Sequence, residues 1–264
     1  MTAARVIKKI IKAILPYGLV VLLVITKKHI LFRKKRRRID TVASLLADEK
    51  SKEVYIGINK ARYGLCEFGK FYTTQSQYFE NDFFTYSENE FLIDCGAYTG
   101  DTIESFIKFV PNYKGIISFE AIPTNFEILK KTHGNNPKIQ LINKGVWSET
   151  GKLTFSSNGP GSTVISPSGK GNEINIDVVS IDSLNLQEKI TLIKMDIEGA
   201  ELNALKGASQ TILRDRPKLA ICIYHSDEDM IQIPEYINKL CPEYKLYVRH
   251  HFINSWETVL YGCP

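Results

Sequence analysis

Short apolar runs separated by helical spacing set the pattern of the chain from Phe91 onward. Phe91-Leu92-Ile93 reads as a strand buried on both faces, since a strand covered by helices has no need of polar alternation. Behind it, Ile103, Phe106, Ile107 and Val110 fall at i, i+3, i+4 and i+7, the single buried stripe of a helix. The alternation then repeats. Ile116–Phe119 predicts a second strand, and Pro123-Thr124-Asn125-Phe126 opens a helix with proline near its first turn. Ile139–Ile142 predicts a third strand, and Asn143–Trp147 reads as the loop after it. Thr191–Met195 predicts a later strand, followed by a helix through Leu202, Leu205 and Ala208. Leu219–Tyr224 predicts another. Pro234–Leu240 reads as helix, and Lys245–Arg249 and Thr258–Tyr261 read as the last strands. The whole predicts an open α/β sheet.

Two stretches break this rhythm. Leu153–Phe155 and Ile174–Val179 are strand-like and bracket Ser156–Asn172, where 13 of 17 residues are Gly, Ser, Pro or Asn. That is the composition of a mobile loop, which either closes over substrate or joins a plain hairpin. Ahead of the sheet, Thr41–Leu46 reads as helical. Tyr55–Tyr86 is dense in aromatics but shows no single period, and Gly57, Gly64 and Gly69 divide it into short pieces. Aromatics at that density cover a core edge; stacking on a sugar or an adenine is their second use.

The candidate chemistry lies at the carboxyl ends of the predicted strands, where open α/β sheets bind ligands. The first strand runs into Asp94-Cys95-Gly96-Ala97-Tyr98-Thr99-Gly100, spaced D-x-G-x-x-x-G. Strand, glycine loop and helix open a nucleotide-binding unit, but this spacing is not the dinucleotide fingerprint. An acid at the strand end suits a ligand with an ammonium group or hydroxyls better than a pyrophosphate. Glu120, 20 residues after Gly100 at the tip of the second strand, can take both ribose hydroxyls. S-adenosylmethionine fits both acids. The expected cofactor wall is Asp94, Gly96, Ala97, Tyr98, Gly100 and Thr102, with Glu120 and Ala121, and Gly145 and Val146 under the adenine; Asp94 and Glu120 as simple turn caps is the plainer alternative.

Asp196 and Glu198 end another strand and would enter the same crevice. Lys194 sits close enough to pair with a neighbouring acid, and Glu201 falls in a first helical turn, where a carboxylate offsets the dipole. Methyl transfer to an alcohol needs a base for the hydroxyl proton. Asp196 is the first candidate, either as that base or as the carboxylate that orients it; His225, just beyond its own strand, is the second. Asp196, Glu198, His225 and Asp227 could instead hold a divalent cation that acidifies a sugar diol, but no spacing requires a metal and none is assigned. His250 and His251 project to opposite faces if extended, so at most one reaches the site.

Charge divides the chain. Up to Ile39 there are twelve Lys and Arg and no acid, which leaves 22 basic against 29 acidic residues beyond it. Within the basic arm, Ile14–Ile25 is apolar, too short for the roughly 20 residues of a membrane span and interrupted by Pro16 and Gly18. Arg33–Arg38 (RKKRRR) follows where a signal peptide would have its cleavage site. The segment reads as cytoplasmic, lying on an anionic membrane surface at the inner face; an ordinary helix or a basic tail is the alternative. An acidic body argues against extended contact with nucleic acid. The five cysteines lack a C-x-x-C pair and read as free thiols of a reducing compartment.

Three stretches, IDCGAYTGDT (Ile93–Thr102), SFEAIPTN (Ser118–Asn125) and IKMDIEGAE (Ile193–Glu201), resemble the FkbM family of S-adenosylmethionine-dependent methyltransferases. The tail, IYHSDEDM (Ile223–Met230) and TVLYG (Thr258–Gly262), resembles members found near bacterial surface-polysaccharide genes. The resemblance runs from about Glu90 to the C-terminus. It implies a Rossmann-like class I methyltransferase sheet of seven strands, the last antiparallel, with helices on both faces, and O-methylation, often of a sugar hydroxyl. By position it implies that Asp94, Gly96, Gly100 and Glu120 hold the cofactor and that Asp196 and Glu198 line the reaction centre. The expected organisation is a membrane-associating segment over 1–39, an aromatic-rich lead-in over 40–90 and the methyltransferase domain over 91–264. The expected acceptor is a bacterial surface glycan or its lipid-linked precursor; a protein or small-molecule methyltransferase, or a non-catalytic cofactor-binding scaffold, is the alternative.

Overall fold

The computed structural model describes residues 17–79, 82–157, 163–164 and 172–264. Two helices come first, α1 (Tyr17–Leu45) and α2 (Glu49–Arg62). The body then alternates β1 (Phe91–Cys95), α3 (Asp101–Phe109), β2 (Gly115–Phe119), α4 (Pro123–His133) and β3 (Ile139–Ile142). A side sheet follows, made of β4 (Gly145–Val146), β5 (Gly151–Ser157), β6 (Thr163–Val164) and β7 (Asn172–Val179). The chain returns through β8 (Leu192–Met195), α5 (Glu201–Lys206), α6 (Ser209–Asp215), β9 (Lys218–Cys222), α7 (Asp229–Leu240), β10 (Lys245–His250) and β11 (Thr258–Cys263).

The main sheet has seven strands in the order β10-β11-β9-β8-β1-β2-β3. β1 pairs in parallel with β2 and β8, and β11 runs antiparallel to both β9 and β10. This is the predicted fold. Neighbouring residues on each strand face opposite cores: Ile93, Ile117 and Ile193 pack with Val42, Tyr55, Ile58 and Ile233, whereas Leu92, Ile116 and Leu192 pack with Phe79, Ile103 and Phe106. Burial on both faces is why these strands are apolar runs rather than alternating ones.

The lead-in holds the β10 side of the sheet. Asp48 caps α2 by accepting from Ser51 N at 2.6 Å, and the Arg249 fork closes on the same carboxylate at 2.8 Å. Burial opposes that charge, but the Arg249 and Ser51 bonds outweigh it and draw the Asp48 carboxyl down to about 2. Ala47 N donates to Leu246 O and Thr73 N to His250 O, so the lead-in also contacts the β10 backbone.

Several expectations are corrected. Thr41–Leu46 belongs for the most part to a helix that extends back to Tyr17. Gly57 lies inside α2 and breaks nothing: a Cβ there would stand 2.1 Å from the Phe71 ring, so glycine admits the aromatic. Gly145–Val146 forms a short strand paired with Val178–Val179, not a free loop. Leu153–Phe155 and Ile174–Val179 do form the antiparallel pair β5–β7, but most of the insert between them lies outside the described residues, as do Ile14–Pro16. α7 begins at Asp229, ahead of Pro234. All five cysteines are free.

Candidate active site

Two cavities meet above the carboxyl ends of β1, β2 and β8. The smaller, about 350 Å3, is walled by Glu120, Ala121, Ile122, Gly145, Val146 and Val178, among others. The larger, about 920 Å3, takes in Thr102, Lys194, Tyr224, His225, Trp256 and Glu257. Gly96, Tyr98, Asp196 and Glu198 line both.

Backbone geometry brings these groups together. At Gly96 φ is +85°, and an added Cβ would lie 2.0 Å from Asp196 O, so only glycine lets the ends of β1 and β8 come this close. Glu120 braces the loop: its Oε2 accepts from Tyr98 N at 2.8 Å and its Oε1 from Ile122 N at 2.7 Å. Burial pushes this carboxyl above its ordinary value, against those two amides. On the opposite side, Glu198 (φ 56°) and Gly199 (φ +92°) are successive left-handed residues that swing the chain from β8 into α5.

Asp196 is the centre of the hydrogen-bond network. Its Oδ2 accepts from the Tyr78 hydroxyl at 2.8 Å and its Oδ1 from the Tyr224 hydroxyl at 3.1 Å. His225 Nε2 stands 3.1 Å from Asp196 Oδ1 and 3.2 Å from Glu201 Oε1. Burial lowers the His225 pKa, so the neutral ring carries its proton on Nε2 between two acceptors. Burial and the Asp196 charge raise Glu198 and Glu257, and burial raises Glu201 well above the carboxylate range. Asp196, Glu201 and His225 each offer an atom within 4.8 Å of the others, a spacing a cation could also use.

The structure sorts the predicted residues. Gly96, Tyr98, Thr102, Glu120, Ala121, Gly145, Val146, Asp196, Glu198 and His225 all line a cavity. Asp94, Ala97 and Gly100, expected in the wall, line neither cavity. The Asp94 carboxylate turns into the sheet, takes a bond from Ser118 Oγ at 2.8 Å and pairs with Lys194 at 3.2 Å. Ala97 is fully buried, and Gly100 packs against His133 and Leu129. Lys194 therefore has the acidic partner expected of it, and donates to Gly96 O at 2.7 Å. Burial works against its charge, but Asp94 and Asp196 outweigh it and raise the pKa. Glu201 does more than offset a dipole: it is fully buried and accepts from Ile197 N at 2.8 Å. His250 and His251 reach neither cavity; they bond to Thr258 and Tyr261.

Sequence reasoning missed Tyr78, Arg62, Trp256 and Glu257. Tyr78 comes from the aperiodic aromatic stretch and Arg62 from the last turn of α2, so no local pattern marks them. Arg62 donates to Asp227 Oδ1 at 2.7 Å and to Tyr224 O at 2.8 Å.

A seven-stranded sheet of this order, with a crevice above its parallel strands and an acid at the end of each of three of them, is the architecture of the class I methyltransferase fold. The profile of the methyltransferase FkbM domain matches residues 94–256, and the chain belongs to that family. The crystal structure of the FkbM methyltransferase from Methylobacillus flagellatus KT is 28% identical, with a TM-score of 0.74 over 87% of this chain and 59% of that one. The chain thus spans 59% of that relative's length. The match also covers more of this chain than Glu90 onward could supply, so part of the lead-in is shared as well. An rRNA methylase from Streptococcus thermophilus (13% identity, TM-score 0.43, covering 67% of this chain and 86% of that one) is more distant. So is Aeropyrum pernix fibrillarin with natively bound S-adenosyl-L-methionine (12%, 0.43, 67% and 66%). No curated protein matches the chain.

Proposed function

We propose that the chain methylates a hydroxyl of a glycan sugar, on a surface glycan or its lipid-linked precursor, with S-adenosylmethionine as donor. The observation that carries this reading is the Asp196 carboxylate at the junction of two cavities, held by three side-chain donors. The smaller cavity fits the nucleoside half of the cofactor. Its apolar walls (Ala121, Ile122, Val146 and Val178) suit a flat base, and Glu120 supplies hydroxyl acceptors at the strand tip. Bound there, S-adenosylmethionine supplies an electrophilic methyl on a positively charged sulfur. The chain's own part is to bind the acceptor, align its hydroxyl and take the proton at Asp196. Tyr78, Tyr224 and His225 fix the carboxylate so that it is already oriented when the hydroxyl arrives.

The basic helix bears on location. Lys35 and Arg38 of α1 turn inward onto Asp227, Glu228 and Glu235, and Arg36 pairs with Asp40. Arg33, Lys34 and Arg37 are exposed and form no ion pair among the described residues. An outward basic face supports a helix lying against an anionic surface at the inner side of a membrane, near lipid-linked acceptors. Among the described residues no helix is long and apolar enough to cross a membrane.

Calorimetric titration of S-adenosylmethionine tests the reading. Micromolar binding should weaken about ten-fold or more in Glu120→Ala, the scale of lost charge-assisted bonds. Asp196→Asn should keep that affinity and lose turnover. A folded chain that binds no cofactor, or an Asp196→Asn variant with full turnover, would overturn it.

A further inference from the structure

The larger cavity is lopsided in charge. Five carboxylates line it: Asp101, Asp196, Glu198, Asp227 and Glu257. Its two cations are committed, Lys194 to Asp94 and Gly96 O, Arg62 to Asp227 and Tyr224 O. Among the described residues no lining arginine or lysine is left to grip a phosphate or carboxylate. An anion entering here would meet like charge across low-dielectric walls.

The mouth has a different character. Of the aromatic rings that line this cavity, Tyr78 is buried and Phe68 and Tyr224 are partly buried, whereas Tyr98 is 58% exposed and Trp256 59% exposed. Each is held out by strained backbone. Tyr98 itself has φ 48°, and Glu257, directly after Trp256, has φ 62°. Glu257 is tied down in turn by the Gln77 side chain, and Trp256 N donates to Asn254 Oδ1 at 3.0 Å. A flat apolar surface beside a row of hydrogen-bond acceptors complements a pyranose, which has a C–H face and a rim of donor hydroxyls.

We propose that the outer part of this cavity, between Tyr98 and Trp256, is a subsite for one uncharged pyranose unit of the acceptor, with any phosphate or carboxylate of that acceptor held outside. The proposal rests on the sugar-methylation reading and adds a charge rule to it. Trp256 is the platform, and Glu198 and Glu257 take hydroxyl protons in hydrogen bonds. The acceptor's charged end, such as a lipid pyrophosphate, lies beyond the mouth.

The chain contains two tryptophans, Trp147 and Trp256, and Trp147 lines neither cavity. The Trp147→Phe form of the full chain therefore makes Trp256 a sole reporter. The probes are methyl glycosides of glucose, galactose, mannose and rhamnose, with methyl glucuronide and glucose 6-phosphate as charged counterparts. Titrations are run with and without S-adenosylhomocysteine. At least one neutral glycoside should shift Trp256 emission and shield it from acrylamide, and the charged sugars should bind at least about ten-fold more weakly. In the otherwise intact chain, Trp256→Ala should weaken glycoside binding by calorimetry about ten-fold and leave nucleotide affinity within about two-fold. The proposal is overturned if a charged sugar binds as tightly as its neutral counterpart, if Trp256→Ala changes nothing, or if a chain that binds nucleotide binds no glycoside. Glycoside binding without nucleotide binding would instead sink the methyl-transfer reading and leave the subsite standing.

Discussion

The Tyr78 hydroxyl donates to Asp196 Oδ2 at 2.8 Å across 118 residues of sequence, so the lead-in supplies one of the groups that fix the central carboxylate. Its ring also lies under Lys194 Nζ, 5.2 Å from the centroid. Tyr78→Phe keeps the ring and removes only the donor. Turnover should fall roughly ten-fold or more, with cofactor affinity preserved. Steady-state kinetics beside calorimetry checks it, and an unchanged kcat would remove Tyr78 from the site.

His225 is a positioning residue in this scheme, since its Nε2 proton lies between Asp196 and Glu201. His225→Gln can still place a donor near Asp196, whereas His225→Ala cannot. The glutamine variant should keep much of the turnover that the alanine variant loses, a loss on the order of ten- to a hundred-fold. Equal losses in both would refute a role that rests on this donor alone.

Acid should destabilise the fold through the two neighbouring histidines. Burial holds His250 and His251 down to about 4, against an ordinary value near 6.5. Between those values the unfolded chain binds more protons than the folded one, so stability rises with pH and is lost as pH falls from about 6.5 to 4. At about 1.4 kcal/mol per pH unit the loss reaches roughly 3 kcal/mol per histidine. His250→Asn retains a partner for Thr258 and should flatten part of that slope in urea titrations at pH 7, 5.5 and 4.5. A slope identical to that of the parent would exonerate His250.

Pro234 inside α7 has no N–H for Met230 O, and the Tyr55 hydroxyl donates to that carbonyl at 3.0 Å instead. Tyr55→Phe leaves a buried carbonyl unpaired and should cost about 1–3 kcal/mol. In a Pro234→Ala background the helix supplies its own donor, so the same change should cost less. Equal cost in both backgrounds, in a double-mutant cycle, would refute the coupling.

The sheet and most of the residues that line the smaller cavity were legible because they are local: apolar runs, a glycine loop and acids at strand ends all fall within a few residues of one another. What was not legible is long-range. Asp94 ends a strand just as Asp196 does, but it faces Lys194 of the adjacent strand and is sealed in, a difference that depends on register between strands 100 residues apart. Glu201 looked like a dipole partner because its burial under His225 is set by β9, not by its own helix. Tyr78 and Trp256 lie in loops whose paths follow from tertiary contacts alone, and no period announces them.

The position of β11 governs how the molecule can assemble. Thr258–Cys263 comes last among the strands yet sits between β9 and β10. Until it arrives, the β9 edge is an open ladder and β10 has no sheet partner, while α2 and its Asp48–Arg249 clasp have no settled strand to grip. Without β11 the parallel half of the sheet would present the β9 edge bare, the kind of edge on which other chains add strands. Closure of the seven-stranded sheet therefore depends on six residues that bridge β9 and β10, far from the glycine loop that shapes the crevice.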